Sequence, residues 1–412
     1  MTLDTMEAAH SSRQAVPPDT KRPRVAVICD FLEEQWPSMD LNGDLLHQFL
    51  AKDHADTIQA VQVRPEFHRR IMKAPLIAKP LAWNVDRLAN RFVDYPRWLR
   101  RHLNEFDLFH LVDHSYSQLV HGLPAERTIV TCHDLDTFRC LLEPGREKRP
   151  GWFQAMARRI LAGFRQAAHV ITNSEATRAE LLRYRLFPPE RITVIHSGVH
   201  PAFTPFPEAA ADEQANRILG PVSSGEIRLL SVGSTIPRKR MDVLLQIFAE
   251  IRKEFPQARL LRAGGPFTEV QSQLARDLGV EEQVTILPFL TRPVLAAVYR
   301  QATLLLQPSE AEGFGMPLAE AMACGCPVIA SDLSALKEIG GSACQYCPVG
   351  DVNAWTNAIA RTLRDQAGAG DTKPGRQQAL NQAARYTWAE NARQTVEVYQ
   401  RVLQPAAEAA VL

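Results

Sequence analysis

Pro308-Ser-Glu-Ala-Glu-Gly-Phe-Gly-Met-Pro-Leu-Ala-Glu-Ala-Met-Ala-Cys-Gly325 lies between two apolar runs, Leu304-Leu-Leu-Gln307 before it and Pro327-Val-Ile-Ala330 after it. Strand, glycine-bearing turn, helix and strand follow one another in that order, which is the grammar of a parallel sheet with crossover helices. Gly313 and Gly315 bare the backbone at the turn. Pro317 suits the first helical turn, where a missing N–H costs nothing. The free N–H groups of that helix start, near Met316 and Leu318, suit a phosphate.

Two carboxylates flank this turn. Glu312 lies in the loop and Glu320 about one turn inside the helix, so both can face a single ligand. Carboxylates accept hydrogen bonds from sugar hydroxyls, and this reading gives Glu312 a transferred sugar and Glu320 a ribose. An acidic helix start also complements the helix dipole, so the pair does not decide function by itself.

A second constellation has the same strand-to-helix setting. Ser231-Val-Gly-Ser-Thr-Ile-Pro-Arg-Lys-Arg-Met-Asp242 places Gly233 at a tight turn and concentrates positive charge at Arg238, Lys239 and Arg240. Cations at a helix N-terminus oppose the dipole, so a purely solvated role is uncomfortable. Fixed cations that meet a departing diphosphate lower the barrier to its departure.

Working outward, a strand–helix series runs on either side of a pause. The N-terminal series has expected strands at 24–29, 108–112, 128–132, 170–172 and 192–195, with helices at 39–51, 153–167 and 175–184. Ser174 is the expected N-cap of the last of these. The C-terminal series has expected strands at 227–232, 259–263, 283–287, 304–307 and 327–330, with helices at 240–255, 292–302 and 317–323. The expected organisation is a disordered tail at 1–22, an N-terminal domain at 23–203, a linker at 204–226, a C-terminal domain at 227–386, and a last helix within 387–412 that packs back on the N-terminal domain. The fold class is α/β, with two doubly wound Rossmann-like domains facing each other across a cleft. Ligands in such sheets bind beyond the carboxyl ends of the strands.

Composition narrows the function classes. The 412 residues are 45% hydrophobic and 23% charged, with a formal net charge of +1. No global charge advertises a nucleic-acid partner. No apolar run approaches the length of a bilayer crossing. The polar start reads as a tail and not as a secretory signal, and the 7 cysteines, an odd number, fit reduced thiols in a cytoplasm. Cys324, Cys326, Cys344 and Cys347 have a spacing that zinc could use, but small residues around Gly325 at a helix-to-strand turn explain the first pair better.

Together the two constellations closely resemble the retaining glycosyltransferases of the GT-B fold, family 4. Glu312 to Glu320 matches their Glu-x7-Glu motif, and Gly233 with Arg238 and Lys239 matches their diphosphate loop. Further likeness runs through Val170-Ile-Thr-Asn-Ser-Glu175, Arg191-Ile-Thr-Val-Ile-His-Ser-Gly-Val199, Ala263-Gly-Gly265, Val328-Ile-Ala-Ser-Asp332 and Tyr386-Thr-Trp388. The resemblance implies a C-terminal lobe that binds a nucleoside diphosphate sugar through Gly233, Arg238, Lys239, Gly313, Phe314, Gly315, Met316, Leu318 and Glu320. It implies that His133, in Thr128-Ile-Val-Thr-Cys-His133-Asp134, contacts the donor sugar, so that His133, Glu312 and Lys239 form the catalytic group. The implied reaction is transfer of a hexose, with net retention, to a saccharide or lipid-linked acceptor. No cofactor and no metal are expected. Asp134-Leu-Asp136 spells a metal signature of another glycosyltransferase fold, but it stands in the wrong lobe. Two rivals remain: a nucleotide-sugar epimerase of the same fold, and a non-catalytic nucleotide-sugar-binding subunit.

The chain departs from the family pattern twice. Paired glycines usually follow the first strand, whereas this loop reads Phe31-Leu-Glu-Glu-Gln-Trp-Pro-Ser-Met-Asp-Leu-Asn-Gly43, with Gly43 expected inside the next helix. The position after Gly233, often arginine in the family, is Ser234.

One stretch points to a further partner. Residues 64–101 hold ten basic residues (Arg64, Arg69, Arg70, Lys73, Lys79, Arg87, Arg91, Arg97, Arg100 and Arg101) against Glu66, Asp86 and Asp94. Ile71, Met72, Leu76, Ile77, Trp83, Phe92, Tyr95 and Trp98 are interleaved with them. Basic side chains beside exposed aromatics suit an anionic membrane surface at the cytoplasmic leaflet, while buried aromatics would leave a solvated basic face.

Overall fold

The computed structural model describes residues 22–72, 78–221, 223, 225–368 and 375–404. Nearly all of the expected tail at 1–22 lies outside these residues, as do Lys73, Leu76 and Ile77 and the end of the C-terminal segment.

The N-terminal half runs β1 (Arg24–Ile28), α1 (Pro37–Asp53), β2 (Gln59–Val63), α2 (Lys79–Ala89), α3 (Tyr95–His102), β3 (Leu108–Leu111), β4 (Thr128–Cys132), α4 (Arg139–Leu142), α5 (Gly151–Phe164), β5 (His169–Thr172), α6 (Glu175–Arg183) and β6 (Ile192–Val194). All pairings are parallel, in the order β2-β1-β3-β4-β5-β6. The central strands are buried on both faces, as their continuous apolar runs require. Ser174 caps α6 by accepting from the Thr177 N–H. β2, Gln-Ala-Val-Gln-Val, escapes the sequence reading because it is a partly exposed edge strand with glutamines in it.

The C-terminal half runs α7 (Ala209–Leu219), β7 (Ile227–Val232), α8 (Met241–Glu254), β8 (Ala258–Ala263), α9 (Glu269–Asp277), β9 (Val284–Ile286), α10 (Arg292–Gln301), β10 (Leu304–Gln307), α11 (Met316–Ala323), β11 (Val328–Ser331), α12 (Ser334–Gly340), β12 (Gln345–Cys347), α13 (Val352–Gly368), α14 (Arg376–Ala383) and α15 (Trp388–Leu403). Its sheet order is β12-β11-β10-β7-β8-β9, again all parallel. Both halves are thus doubly wound. Strand order reverses between β1 and β3 in one sheet and between β7 and β10 in the other, and these reversals open crevices at the strands' carboxyl ends.

One expectation needs correction. The segment 204–226 is not simply a linker, because α7 occupies much of it. Its alanine-rich run favours helix, Ala211 and Ala215 are buried, and Asp212 accepts from Arg300 on α10 at 2.7 Å. Prolines flank that helix without entering it. Of the two readings of the basic stretch, the structure has the one with its aromatics turned inward. Tyr95 is fully buried, and Trp83, Phe92 and Trp98 pack against the N-terminal core. What this face does expose is aliphatic: Leu81, Val85, Leu88 and Val93.

The chain's last helix packs on the N-terminal sheet. Trp388, Ala392, Val396 and Tyr399 join Val25, Val27, Leu46 and Leu108 in one cluster. The Tyr399 hydroxyl lies 2.7 Å from His110 Nδ1. Gly43 sits inside α1, directly against Cys29.

Candidate functional site

The loops after β7 and β10 flank the switch point of the C-terminal sheet and meet at Glu312. Lys239 Nζ donates to Glu312 Oε1 at 2.7 Å. Gln307 Nε2 and Ser309 Oγ donate to the same oxygen, each at 2.7 Å. Arg238 Nη1 donates to Glu312 Oε2 at 3.3 Å and to the Ala311 carbonyl at 2.9 Å. The Glu312 side chain is only 6% exposed. Burial alone would raise its pKa, but Lys239 and Arg238 overcome that and hold it below the usual carboxylate range. Glu312 is therefore the fixed anion on which the two cations are mounted.

The turn that follows is built for close approach. A side chain at 313 would collide with the His133 carbonyl, because its Cβ would lie 2.0 Å from that oxygen. Gly313 thus lets the C-terminal lobe's loop press on the N-terminal lobe, where Ser174 Oγ donates to the Gly313 carbonyl at 2.6 Å. Gly315 caps α11 with a φ of 96°, a conformation glycine adopts without steric cost. The helix start at Met316 lies beside the cluster, with first-turn N–H groups that lack intrahelical acceptors. Leu318 is an exception to the sequence reading, since its N–H already donates to the Gly315 carbonyl at 3.0 Å and its side chain is fully buried. Phe314 is likewise a packing residue, edge-on to Tyr386.

His133 lies at the end of β4, across the lobe boundary from Gly313. Its Nε2 donates to the Val112 carbonyl at 2.7 Å, so the proton resides there and Nδ1 keeps a lone pair. Burial pushes its pKa down, which favours the neutral ring. A small cavity of about 30 Å³ adjoins it, lined by apolar side chains such as Leu46, Ile171 and Trp388 together with Asn42, Asn173 and Asn391.

Glu320 stands one turn into α11, 9% exposed, and accepts from the Tyr299 hydroxyl at 2.9 Å. Burial raises its pKa to about 7, against smaller opposing contributions from Tyr299 and Arg292. The sign follows directly. A carboxyl raised above its unfolded value adds stability below about pH 4.5, and that contribution is lost as pH rises through about 7. Glu320→Gln keeps an acceptor for Tyr299 and removes the buried charge. In the free protein it is expected to raise Tm by a few degrees at pH 8 and to have little effect at pH 5. An equal shift at both pH values, read by differential scanning calorimetry, would exclude a buried ionisable group as the cause.

Several contacts were not visible in the sequence. Arg238 Nε lies 3.0 Å from Asp136 of the opposite lobe. The aspartates set aside as a metal motif thus include one that pairs with the cationic loop. Burial, and then Asp134, raise the Asp136 pKa to about 6. Arg146 reaches Glu310 at 2.8 Å. Glu338 on α12 accepts from the N–H groups of Glu175 and Ala176 at the start of α6, and lies 2.7 Å from His196 Nε2. At the N-terminal switch point, Asp30 and Asp113 form a buried carboxyl pair, and burial followed by the Asp113 charge raises the Asp30 pKa well above its ordinary value. Among the described residues no group of three or more His, Cys, Asp or Glu side chains gathers as metal ligands. The seven cysteines form no disulfide bridges with one another.

Comparison with known proteins follows the same division of the chain. Residues 213–387 match the family of glycosyl transferases group 1, and residues 44–203 match glycosyltransferase family 4. The chain is 33% identical over 251 residues to D-inositol 3-phosphate glycosyltransferase of Thermobispora bispora, covering 58% of this chain and 57% of that protein. It is 29% identical over 307 residues to the serotype-specific mannosyltransferase WbdA of Escherichia coli, covering 72% of this chain and 36% of the other. It spans about half the length, or less, of these curated relatives. Among solved structures, sucrose-phosphate synthase from Thermosynechococcus elongatus superposes with a TM-score of 0.70 at 21% identity, covering 92% of this chain and 99% of that one. Anabaena HepE, solved with UDP and glucose, superposes with a TM-score of 0.68 at 16% identity over 92% of this chain and all 100% of the other. Two parallel six-stranded sheets in GT-B arrangement, each half matching its own glycosyltransferase domain, make this chain a member of glycosyltransferase family 4.

Proposed function

We propose that the chain transfers a hexose from a UDP- or GDP-linked sugar to a saccharide or lipid-linked acceptor, with retention of anomeric configuration and without a metal ion, in cell-surface polysaccharide or glycolipid synthesis. The observation that carries this reading is the mounting of Lys239 and Arg238 on buried Glu312 beside the start of α11. A leaving diphosphate gains charge where these cations and helix N–H groups are preorganised to meet it. The relatives, an inositol phosphate glycosyltransferase and a mannosyltransferase, support a hexosyl transfer. UDP in the related HepE structure supports a nucleotide donor.

In this reading the diphosphate takes Lys239 and Arg238. Glu320 accepts from the ribose hydroxyls. Neutral His133 offers Nδ1 to a hydroxyl of the transferred sugar. The departing phosphate oxygen receives the proton of the incoming acceptor hydroxyl on the same face, so no side-chain nucleophile is required. A thermal-shift screen of nucleotide sugars identifies the donor, because a specific ligand raises Tm by mass action. Donor consumption is then measured with EDTA present, with and without acceptor extracts. Turnover that needs no acceptor would replace transfer by epimerisation or hydrolysis. Full loss in EDTA, restored by manganese or magnesium, would overturn the metal-free reaction.

The acceptor side of this reading includes an anionic membrane surface at the cytoplasmic leaflet. Leu81 is 60% exposed, with Val85 and Leu88 following at helical spacing on α2. Lys79, Arg97, Arg100 and Arg101 are exposed nearby in the chain, whereas Arg64, Arg70, Arg87 and Arg91 are held in ion pairs. Exposed aliphatic side chains and cations without an ion-pair partner among the described residues, in one stretch of chain, match an interface of acyl chains and acidic headgroups. Co-sedimentation with liposomes is expected to rise with anionic lipid, to fall with salt, and to weaken when Arg97, Arg100 and Arg101 become Glu or when Leu81 and Val85 become Ser. Binding indifferent to lipid charge and salt would favour a soluble acceptor.

A further inference from the structure

The cations at the C-terminal switch point are nearly all neutralised from within. Lys239 pairs with Glu312, and Arg238 with Glu312 and Asp136. Arg240 pairs with Asp242 and Glu310. Two cations and two carboxylates therefore cancel in the immediate cluster, and Arg240 is balanced by its own pair. On that count the loop would present little net charge to an arriving diphosphate.

Arg262 breaks the balance. It sits on β8, next to β7, and is 0% exposed, one of the largest fully buried side chains of the chain. No carboxylate among the described residues pairs with it. Its guanidinium donates to backbone carbonyls at the carboxyl ends of the two strands: Ala263, Gly233 and, at 3.5 Å, Ser231. Its Nε has no hydrogen-bond partner among the described residues. Burial lowers its pKa to about 10, which still leaves it charged at neutral pH. A buried cation that lacks a counter-ion is costly, and carbonyl dipoles offset only part of that cost. The Gly233 carbonyl that it holds belongs to the loop carrying Lys239, whose Cε would lie 3.7 Å from a Cβ at 233.

We infer that Arg262 is a positioning residue for the donor's diphosphate: it fixes the Gly233 turn from beneath and supplies the net positive charge that the diphosphate neutralises. This rests on the nucleotide-sugar reading above. The role is electrostatic and structural at once, and the two parts are separable by charge. A merely structural arginine would affect nucleoside and nucleoside diphosphate alike, because both would meet the same distorted loop. An electrostatic one acts on the diphosphate alone.

The test is calorimetric titration of wild type, R262M and R262Q with UDP and GDP and with the matching nucleosides. R262Q retains an amide donor for the carbonyls, so it serves if R262M fails to fold. R262K keeps the charge. The ratio of diphosphate to nucleoside affinity is expected to fall at least about tenfold in R262M and R262Q, and to stay within about threefold of wild type in R262K. A ratio unchanged in the neutral variants, or lost to the same degree in R262K, would overturn the inference. Wild-type protein that binds neither diphosphate would instead refute the nucleotide-sugar reading itself, and this inference with it.

Discussion

Replacing Lys239 by alanine is expected to lower turnover by about two orders of magnitude or more, the effect of removing one preorganised electrostatic stabiliser from a developing anion. The substitution does more than remove a cation. Glu312 is buried and takes most of its charge compensation from Lys239 and Arg238. Without Lys239 the carboxylate loses its closest partner, and breaking one side of a buried pair costs about 3–5 kcal/mol. Part of that cost disappears if Glu312 takes up a proton. The Glu312 pKa, now held low, then rises, and the residual activity of the variant acquires a dependence on pH in the range where a buried carboxyl titrates. Lys239→Arg keeps the charge and is expected to recover part of the rate, though a planar fork does not replace a point donor at 2.7 Å. The measurement is kcat at saturating donor, with a thermal melt to show that the variant is folded. Near-wild-type turnover in a folded Lys239→Ala protein would remove Lys239 from the catalytic group.

How far the sequence carries can be judged on these same residues. The strand–turn–helix pattern around 308–325 and 231–242 is local, so sequence alone locates Gly233, Lys239, Glu312, Gly315 and Glu320 at strand ends and helix starts. What connects them is not local. Glu312 accepts from Lys239 and Arg238 because β7 and β10 are neighbours across the switch point, a pairing of strands distant in the chain. The Asp136–Arg238 pair and the contact of Gly313 with His133 cross from one lobe to the other. No spacing rule predicts them. Arg262 is invisible for another reason: an arginine within Ala-Arg-Leu-Leu-Arg-Ala reads as an exposed strand residue, and only burial shows that one of the two arginines points inward. The basic stretch is undecided in the sequence for a further reason. Its aromatics alternate with charges, which leaves both exposed and buried placements open in the sequence, whereas helical spacing turns them to the core and leaves Leu81 and Val85 outside.

Glu312→Gln is expected to move turnover and product affinity in opposite directions. The amide is isosteric and its oxygen can still accept from Ser309 and Gln307, so the loop keeps its shape. What disappears is the negative charge that holds both cations in place. Lys239 and Arg238 then carry charge that Asp136 and the nearby Asp134 offset only in part, and a nucleoside diphosphate, itself anionic, meets a more positive site. Its affinity is expected to stay the same or to tighten by severalfold. Turnover is expected to fall by about two orders of magnitude, because a lysine no longer fixed at 2.7 Å must be oriented during the reaction and not before it. Tighter product binding also slows release, so single-turnover measurements are needed to separate the chemical step from product departure. Glu320→Gln supplies the contrast: its proposed partner is the ribose, so it weakens the diphosphate and the nucleoside together. Calorimetry with both ligands on both variants reads the difference. A Glu312→Gln protein that loses diphosphate affinity in step with turnover would show that Glu312 holds the ligand directly, and would end its assignment as the anchor of Lys239.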